Sequence, residues 1–353
     1  MFSFGISPEQ ALLCGFLLFI DTLAAPPPDL SELEPVQAFI QVDSELGFGH
    51  KTNCSVIHKS HVTTTDLHLD SRGARIGAAD EPEISEVGLI AVGGSQTYGP
   101  GVLNRETFAS LTAEKLGLSA RNFGINGQGG VQSLIVLKRH IDLKPKVVVY
   151  GFWFDHFNRN VRICQNAGGP TCTQVPTVQF NPDEQPYIRF PENAEMNYRR
   201  RLEWGRDTAE GSESRSILTD LKWTCYELYW DFTRWMGLEI NAAPTDQEKI
   251  YRGAEFVLQG LKGIAEEAGA VLVVAFIPDY LWEGVHDTPA ELIAMADRLD
   301  IPLIGVSEQF RKLRSEGKRI SIEGDGHLNE RGHAVIAEEV CKYLVEAGFE
   351  GGG

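Results

Sequence analysis

The pattern of apolar and polar positions changes at about residue 86. Beyond it, short continuous apolar runs alternate with segments in which apolar residues recur at helical spacing. The runs predict strands at 87–93, 119–124, 146–152, 270–277 and 301–305. The periodic segments predict helices at 104–117, 130–142, 248–268, 289–299, 307–316 and 329–347. This alternation predicts an α/β fold, a doubly wound parallel five-stranded sheet with helices on both faces.

Two regions depart from the alternation. Residues 26–85 open with a proline run and continue with alternating polar and β-branched positions, which predicts a linker and a short β-rich N-terminal segment. Residues 156–246 are interpreted as a helical insertion in a domain spanning 86–350. Its aromatic segment Ser216–Leu238 predicts a helix that either packs on the core or covers a substrate. Arg199-Arg200-Arg201 is interpreted as a solvated helix face.

The first 25 residues contain the apolar run Ala11–Ile20 and a small-x-small site at Thr22-Leu23-Ala24. This run is too short and interrupted for a spanning helix and favours a signal peptide. The alternatives are an uncleaved membrane anchor and a buried N-terminal helix. We therefore expect export to the periplasm or the cell exterior.

Cys164 and Cys172 bracket a short polar loop, which indicates either a small disulfide ring or two free thiols.

The amino-acid composition limits the classes of partner that we expect for this protein. The 353 residues suffice for one large α/β domain with an appendage, and 32 basic against 49 acidic side chains give a net charge of −17. That charge argues against nucleic acid and anionic membrane surfaces as partners. No Cys/His spacing is typical of a zinc site, so we predict neither a metal nor a cofactor.

The candidate chemistry lies at the two ends of the alternating region. Ser95 stands in a glycine-rich turn after the strand 87–93, where a doubly wound sheet places its ligands and a nucleophile is well positioned. In Asp325-Gly326-His327 an imidazole base and an orienting carboxylate share one loop. Asn329 is predicted to cap the last helix, which keeps His327 in the preceding loop. Glu323 is the alternative acid.

Three segments in order resemble the SGNH (GDSL-type) hydrolase family: Gly93–Gly99, Asn122–Gly130 and Asp325–His333. The resemblance covers roughly residues 86–347. It implies that Ser95 is the nucleophile, that His327 is the general base oriented by Asp325, and that the amides of Ser95 and Gly127 bind the oxyanion. The implied activity is that of an esterase forming an acyl-enzyme, with a small-molecule or glycan ester, such as an O-acetyl group, as substrate.

Two positions depart from the family pattern. Gly94 replaces the usual aspartate before the nucleophile, and Phe154 stands where an asparagine usually donates to the oxyanion. Either Asn158 or Asn160 supplies the lost donor, Asn158 being the nearer, or the hole relies on two amides. The alternatives to an esterase are an O-acyltransferase of the same fold in polysaccharide modification and a catalytically weak SGNH-like binding protein.

Overall fold

The predicted α/β fold is present in the computed structural model, which describes residues 38–60, 62–78, 86–164, 173–209, 246–280 and 284–349. Its strands are β1 Ile40–Asp43, β2 Gly47–His50, β3 Cys54–Lys59, β4 Thr64–Leu69, β5 Arg75–Ile76, β6 Leu89–Gly93, β7 Ala120–Asn122, β8 Val147–Trp153, β9 Thr177–Phe180, β10 Pro186–Arg189, β11 Val271–Ile277 and β12 Leu303–Gly305. The central sheet has the order β12-β11-β8-β6-β7-β5-β4-β3. Its first five strands pair in parallel, which confirms the predicted five-stranded parallel core.

Helices cover both faces of this sheet. They are α1 Ser95–Tyr98, α2 Phe108–Leu116, α3 Gly130–His140, α4 His156–Arg159, α5 Ala194–Ala209, α6 Gln247–Glu267, α7 Ala290–Arg298, α8 Ser307–Ser315 and α9 Glu330–Glu346. Side chains alternate along β6: Ile90 and Val92 join a hydrophobic cluster with α3, α6 and α7. Leu89 and Ala91 join a second cluster with α2, α8 and α9. The continuous apolar run of β6 is thus explained by burial on both sides.

The N-terminal β-rich segment is part of the sheet. Strands β3, β4 and β5 extend it antiparallel, and β5 joins the parallel core where Arg75 pairs with Asn122 of β7. Strands β1 and β2 form a separate hairpin. The change of pattern at residue 86 therefore marks a change from antiparallel to parallel pairing within one sheet.

The insertion contributes the hairpin β9–β10 and helix α5 within its described part. Ser216–Leu238, the N-terminal apolar run and Cys172 lie outside the described residues. Among the described cysteines, Cys54 and Cys341 are free thiols. The Cys164–Cys172 pairing stays a prediction. Within the described ranges, every helix is too short or too polar to cross a membrane.

Candidate active site

The turn that carries Ser95 depends on two glycines that are neighbours in register on β6 and β8. A Cβ atom at Gly93 or at Gly151 would lie 2.1 Å from the Oγ1 of Thr97. Because these two glycines have no side chains, Thr97 can pack against the ends of both strands. Helix α1 can therefore begin directly after β6. Gly93 also has a φ of 154°, which favours glycine. Ser95 becomes the first residue of α1, at the carboxyl edge of the sheet, and is 5% exposed.

Gly94 lies against two other parts of the site. A Cβ atom there would be 2.6 Å from the carbonyl oxygen of Gln128 and 2.9 Å from the Nε2 of His156. Both neighbours are buried and cannot withdraw into solvent. The aspartate that the family resemblance implies at this position has no room, so the substitution fits the local packing.

The Asp325–His327 loop is ordered by hydrogen bonds within itself. The Nδ1 of His327 pairs with the Oδ1 of Asp325, and the backbone N–H of Ile322 donates to the His327 carbonyl at 2.8 Å. The side chain of Asn329 accepts from two amides of the first turn of α9, which confirms the predicted cap. Glu323 instead pairs with Arg319 at the surface. The hydrogen bond to the imidazole is therefore made by Asp325.

Gln96, next to Ser95, attaches this loop to the turn that carries Ser95. Its Oε1 accepts from the Leu328 N–H at 3.1 Å and from the Tyr280 hydroxyl at 3.2 Å. That hydroxyl also lies 2.9 Å from the Gly326 carbonyl. Among the described residues, no hydrogen bond joins the Ser95 hydroxyl to the His327 ring. Hydrogen bonds of this kind are often long without a ligand and tighten when substrate binds.

The Gly127 loop is attached to the other side of α1. The side-chain amide of Asn122 donates to the Thr97 carbonyl at 2.8 Å, and its oxygen accepts from the Gly124 N–H at 2.9 Å. Because Gln128 also contacts Gly94, the Gly127 amide and Ser95 lie at the same rim of the sheet.

The segment after β8 contains Phe154 and the two asparagines that were predicted as alternative donors to the oxyanion. Phe154 packs its ring against the core cluster and offers no donor. The Asn158 amide lies 3.5 Å from the Asp155 carboxylate, to which it donates a long hydrogen bond. Asn160 is fully buried, and its Oδ1 accepts from the Gly130 N–H at 3.0 Å at the start of α3. Asn160 therefore stabilises α3.

His156 is a site residue that the sequence analysis missed. Its Nδ1 lies 2.9 Å from the Tyr150 hydroxyl, and its Nε2 lies beside Gly94. Burial holds the pKa of His156 well below its ordinary value. The nearby Gln128 carbonyl favours the protonated imidazole and so partly opposes the lowering of the His156 pKa. The His156 Nε2 makes no hydrogen bond to it. The sequence feature that could have indicated His156 is its position directly after Asp155, in the segment that departs from the family pattern.

The β-rich segment supplies a further histidine near the loop. Burial first, and then the nearby guanidinium groups of Arg75 and Arg201, lower the pKa of His58 to about 4, while Asp325 raises it. The Nδ1 of His58 lies 3.4 Å from the Tyr98 hydroxyl at the end of α1. A groove of about 560 Å³ borders the loop and is lined by Tyr280, Arg314 and residues 317–326, which include Asp325 and Gly326. Within the described ranges, no three His, Cys, Asp or Glu side chains are grouped to hold a metal ion.

No protein-family model and no curated protein matches this chain. Among solved structures, it is similar to TesA, with 15% identity, a TM-score of 0.36, and coverage of 72% of this chain and 97% of that one. It is also similar to the psychrotrophic esterase EstA from Pseudoalteromonas sp., with 12% identity, a TM-score of 0.35, and coverage of 74% and 98%. A third is the carbohydrate esterase family 2 enzyme from Corynascus thermopiles, with 12% identity, a TM-score of 0.38, and coverage of 78% and 69%.

Proposed function

We propose that this protein is a serine esterase of the SGNH type that cleaves carboxylic esters through an acyl-enzyme. The observation that supports this most is the bridge made by Gln96. By accepting from Leu328 and Tyr280, it holds the Asp325–His327 pair against the turn that carries Ser95. Gln96 and Leu328 are 232 residues apart in the sequence, so this buried hydrogen bond joins two distant loops.

In the proposed reaction, the Nε2 of His327 takes the Ser95 proton while the oxygen attacks the ester carbonyl. Asp325 accepts from the Nδ1 and fixes the tautomer, so that the Nε2 is free to act as a base. The tetrahedral intermediate expels the alcohol, which takes the proton from His327. Water activated by the same imidazole then releases the acid and restores the Ser95 hydroxyl.

The proposed oxyanion hole consists of the amides of Ser95 and Gly127, with Asn158 as the third donor. Asn158 would serve by turning its amide away from Asp155 when substrate binds. Asn158→Ala is then expected to lower kcat by about 10²-fold with a smaller change in KM. If the variant turns over at the wild-type rate, the hole has two donors and Phe154 stands at a position that the reaction does not use.

The decisive experiment is fluorophosphonate labelling of the purified protein, followed by mass mapping of the modified residue. We expect modification of Ser95, and we expect Ser95→Ala to hydrolyse p-nitrophenyl acetate no faster than buffer. Ser315→Ala, at the exposed end of α8, is the matched control and should be labelled normally. Failure of wild-type protein to label, together with absent hydrolysis, would favour the SGNH-like binding protein over both the esterase and the acyltransferase.

Export remains part of the proposal. The predicted Cys164–Cys172 disulfide would fit an oxidising compartment, where such bonds persist. Non-reducing peptide mapping of protein recovered from the periplasm should yield one cross-linked peptide containing Cys164 and Cys172.

A further inference from the structure

The Gly127 loop is a tight turn whose central peptide carries the proposed oxyanion donor. The Gln128 N–H donates to the Ile125 carbonyl at 3.1 Å, and Gly127 has a φ of 86°. A positive φ near +80° at the third position is typical of a type II turn. In a type I turn the same residue has a φ near −90°, so the two forms differ by a rotation of the peptide between Asn126 and Gly127. Glycine tolerates both forms.

The direction of the Gly127 N–H therefore depends on what holds the Asn126 carbonyl. In a planar trans peptide, the C=O and the following N–H point in opposite directions. The Nη2 of Arg201 donates to the Asn126 carbonyl at 3.2 Å. A turn in the other form would move this carbonyl away from the guanidinium and reverse the N–H.

Arg201 is built into the fold at this position. It is 1% exposed, which corrects its interpretation as part of a solvated helix face, and its guanidinium lies over the Phe48 ring at 5.1 Å. Helix α5 is anchored beside it, because Leu202 is fully buried and the Tyr198 hydroxyl donates to the Ile40 carbonyl at 3.4 Å. The β-rich segment and the insertion thus jointly bring a buried cation to the turn.

A second arginine holds the far end of the same turn. The Nη1 of Arg159 donates to the Gln128 carbonyl at 3.2 Å, while its Nε pairs with Asp155 at 2.8 Å. The Gln128 side chain donates to the Phe48 carbonyl at 3.0 Å. With the rest of the turn fixed in this way, the central peptide is the element that Arg201 orients.

We infer that Arg201 is a positioning residue, which selects the turn form in which the Gly127 N–H serves the oxyanion hole. This inference rests on the proposed esterase function and adds to it a residue from the insertion, outside the three motifs. In this role Arg201 acts through the Asn126 peptide rather than on the reacting atoms.

The test compares Arg201→Met with Arg199→Met. Methionine keeps much of the length of arginine but donates no hydrogen bond. Arg199 lies on the same helix, is partly exposed and pairs with Glu195 at 3.6 Å, so its variant reports general effects on α5.

Rates on p-nitrophenyl acetate are expressed per active site, counted by fluorophosphonate titration, and folding is followed by circular dichroism. We expect kcat per site to fall about 10- to 100-fold in Arg201→Met with KM changed less than about 3-fold. Arg199→Met should match the wild type.

A purely structural role gives a different result. If Arg201→Met lowers the melting temperature or the number of titratable sites but leaves kcat per site unchanged, the inference is wrong. If Arg201→Met does not fold, Arg201→Lys decides, because lysine keeps the charge and loses the planar fork. A wild-type kcat per site in Arg201→Lys would then overturn the inference, and a reduced kcat with unchanged KM would support it.

A readout without activity separates this inference from the proposed function. In a crystal structure of Arg201→Met, or of Arg201→Lys, we expect the Asn126 carbonyl to rotate and the φ of Gly127 to become negative. If this rotation occurs in a protein that hydrolyses no ester, Arg201 still orients the Asn126 peptide, but the proposed esterase function is wrong. A Gly127 turn that stays unchanged, in a variant with wild-type kcat, would reject the positioning role alone.

Discussion

The two sides of the candidate site are held in place by different means. On the nucleophile side, Ser95, His327 and Asp325 are themselves side chains, and the loop bearing two of them is attached through Gln96. On the oxyanion side, the proposed donor is a backbone amide, and its direction is set by guanidinium groups on the neighbouring carbonyls. Reactive side chains can be recognised in a sequence, whereas an amide looks the same at every position.

The nucleophile side should show the largest single effect. Asp325→Asn keeps the size of the side chain but removes the carboxylate that fixes the His327 tautomer. We expect kcat to fall by about 10³- to 10⁴-fold. The matched control is Glu323→Gln, since Glu323 is exposed and pairs with Arg319. Steady-state kinetics on both variants check the assignment, and a larger loss in Glu323→Gln would transfer the role to that residue.

Much of the nucleophile side and the fold could be predicted from the sequence. The five strands and six helices that were predicted beyond residue 86 lie within four residues of their predicted bounds, because long apolar runs and periodic segments bury their apolar side chains in the expected way. The order of the three motifs along the chain indicated Ser95, Gly127 and the Asp325–His327 pair together.

The supports on the oxyanion side could not be predicted. Arg201 stands in a run of three arginines on a polar segment, which is the pattern of an exposed helix face. Its burial results from the packing of α5 on β1 and β2, a contact between segments about 150 residues apart. That the N-terminal strands join the edge of the parallel sheet could not be predicted for a similar reason, because short polar strands carry no sign of their partner.

Gly94 is where the two sides meet, and a methyl group there should disturb both. In Gly94→Ala the new Cβ would approach the Gln128 carbonyl and His156 below contact distance. We expect a loss of about 1–3 kcal/mol in the free energy of unfolding, together with about a 10- to 100-fold lower kcat. Chemical denaturation and kinetics measure the two quantities.

Gly263→Ala is the control for Gly94→Ala. Gly263 lies inside α6 with open space where a Cβ would be, so alanine should stabilise the helix by up to about 1 kcal/mol. If Gly94→Ala proves equally harmless, the two sides are not in the close contact that the structure describes. The departure from the family aspartate would then lack a packing explanation.

The Gln96 bridge offers a graded test of the nucleophile side. Gln96→Ala leaves the buried Leu328 N–H without its acceptor, while the Tyr280 hydroxyl keeps the Gly326 carbonyl, so the loop should lose its attachment to the turn that carries Ser95. We expect about a 10-fold lower kcat and a loss of about 1–3 kcal/mol in stability. Tyr280→Phe removes one donor and leaves the Leu328 bond, so its effects should be smaller. Equal effects of the two variants would mean that the tyrosine, rather than the glutamine, attaches the loop.

Acid should weaken both sides at once, because buried histidines border α1 at each end. His156 lies beside Gly94 at its start, and the Nε2 of His333 would lie 3.1 Å from a Cβ at Gly99 at its end. Burial lowers the pKa of His333 to about 3, while its Nδ1 accepts from the Phe108 N–H at 3.2 Å. The unfolded chain therefore binds a proton at this residue below about pH 6.5, and the folded protein does not until about pH 3.

The stability contributed by neutral His333 is thus complete above about pH 6.5 and is lost as the pH falls, by about 1.4 kcal/mol per pH unit. His333→Asn keeps an acceptor for the Phe108 amide but does not titrate. We expect its loss of stability between pH 7 and pH 5, measured by urea denaturation, to be smaller than that of the wild type by about 2 kcal/mol. His286→Asn, at an exposed position, is the control and should follow the wild type. A His333→Asn profile parallel to the wild type would show that this histidine is not kept neutral behind α1.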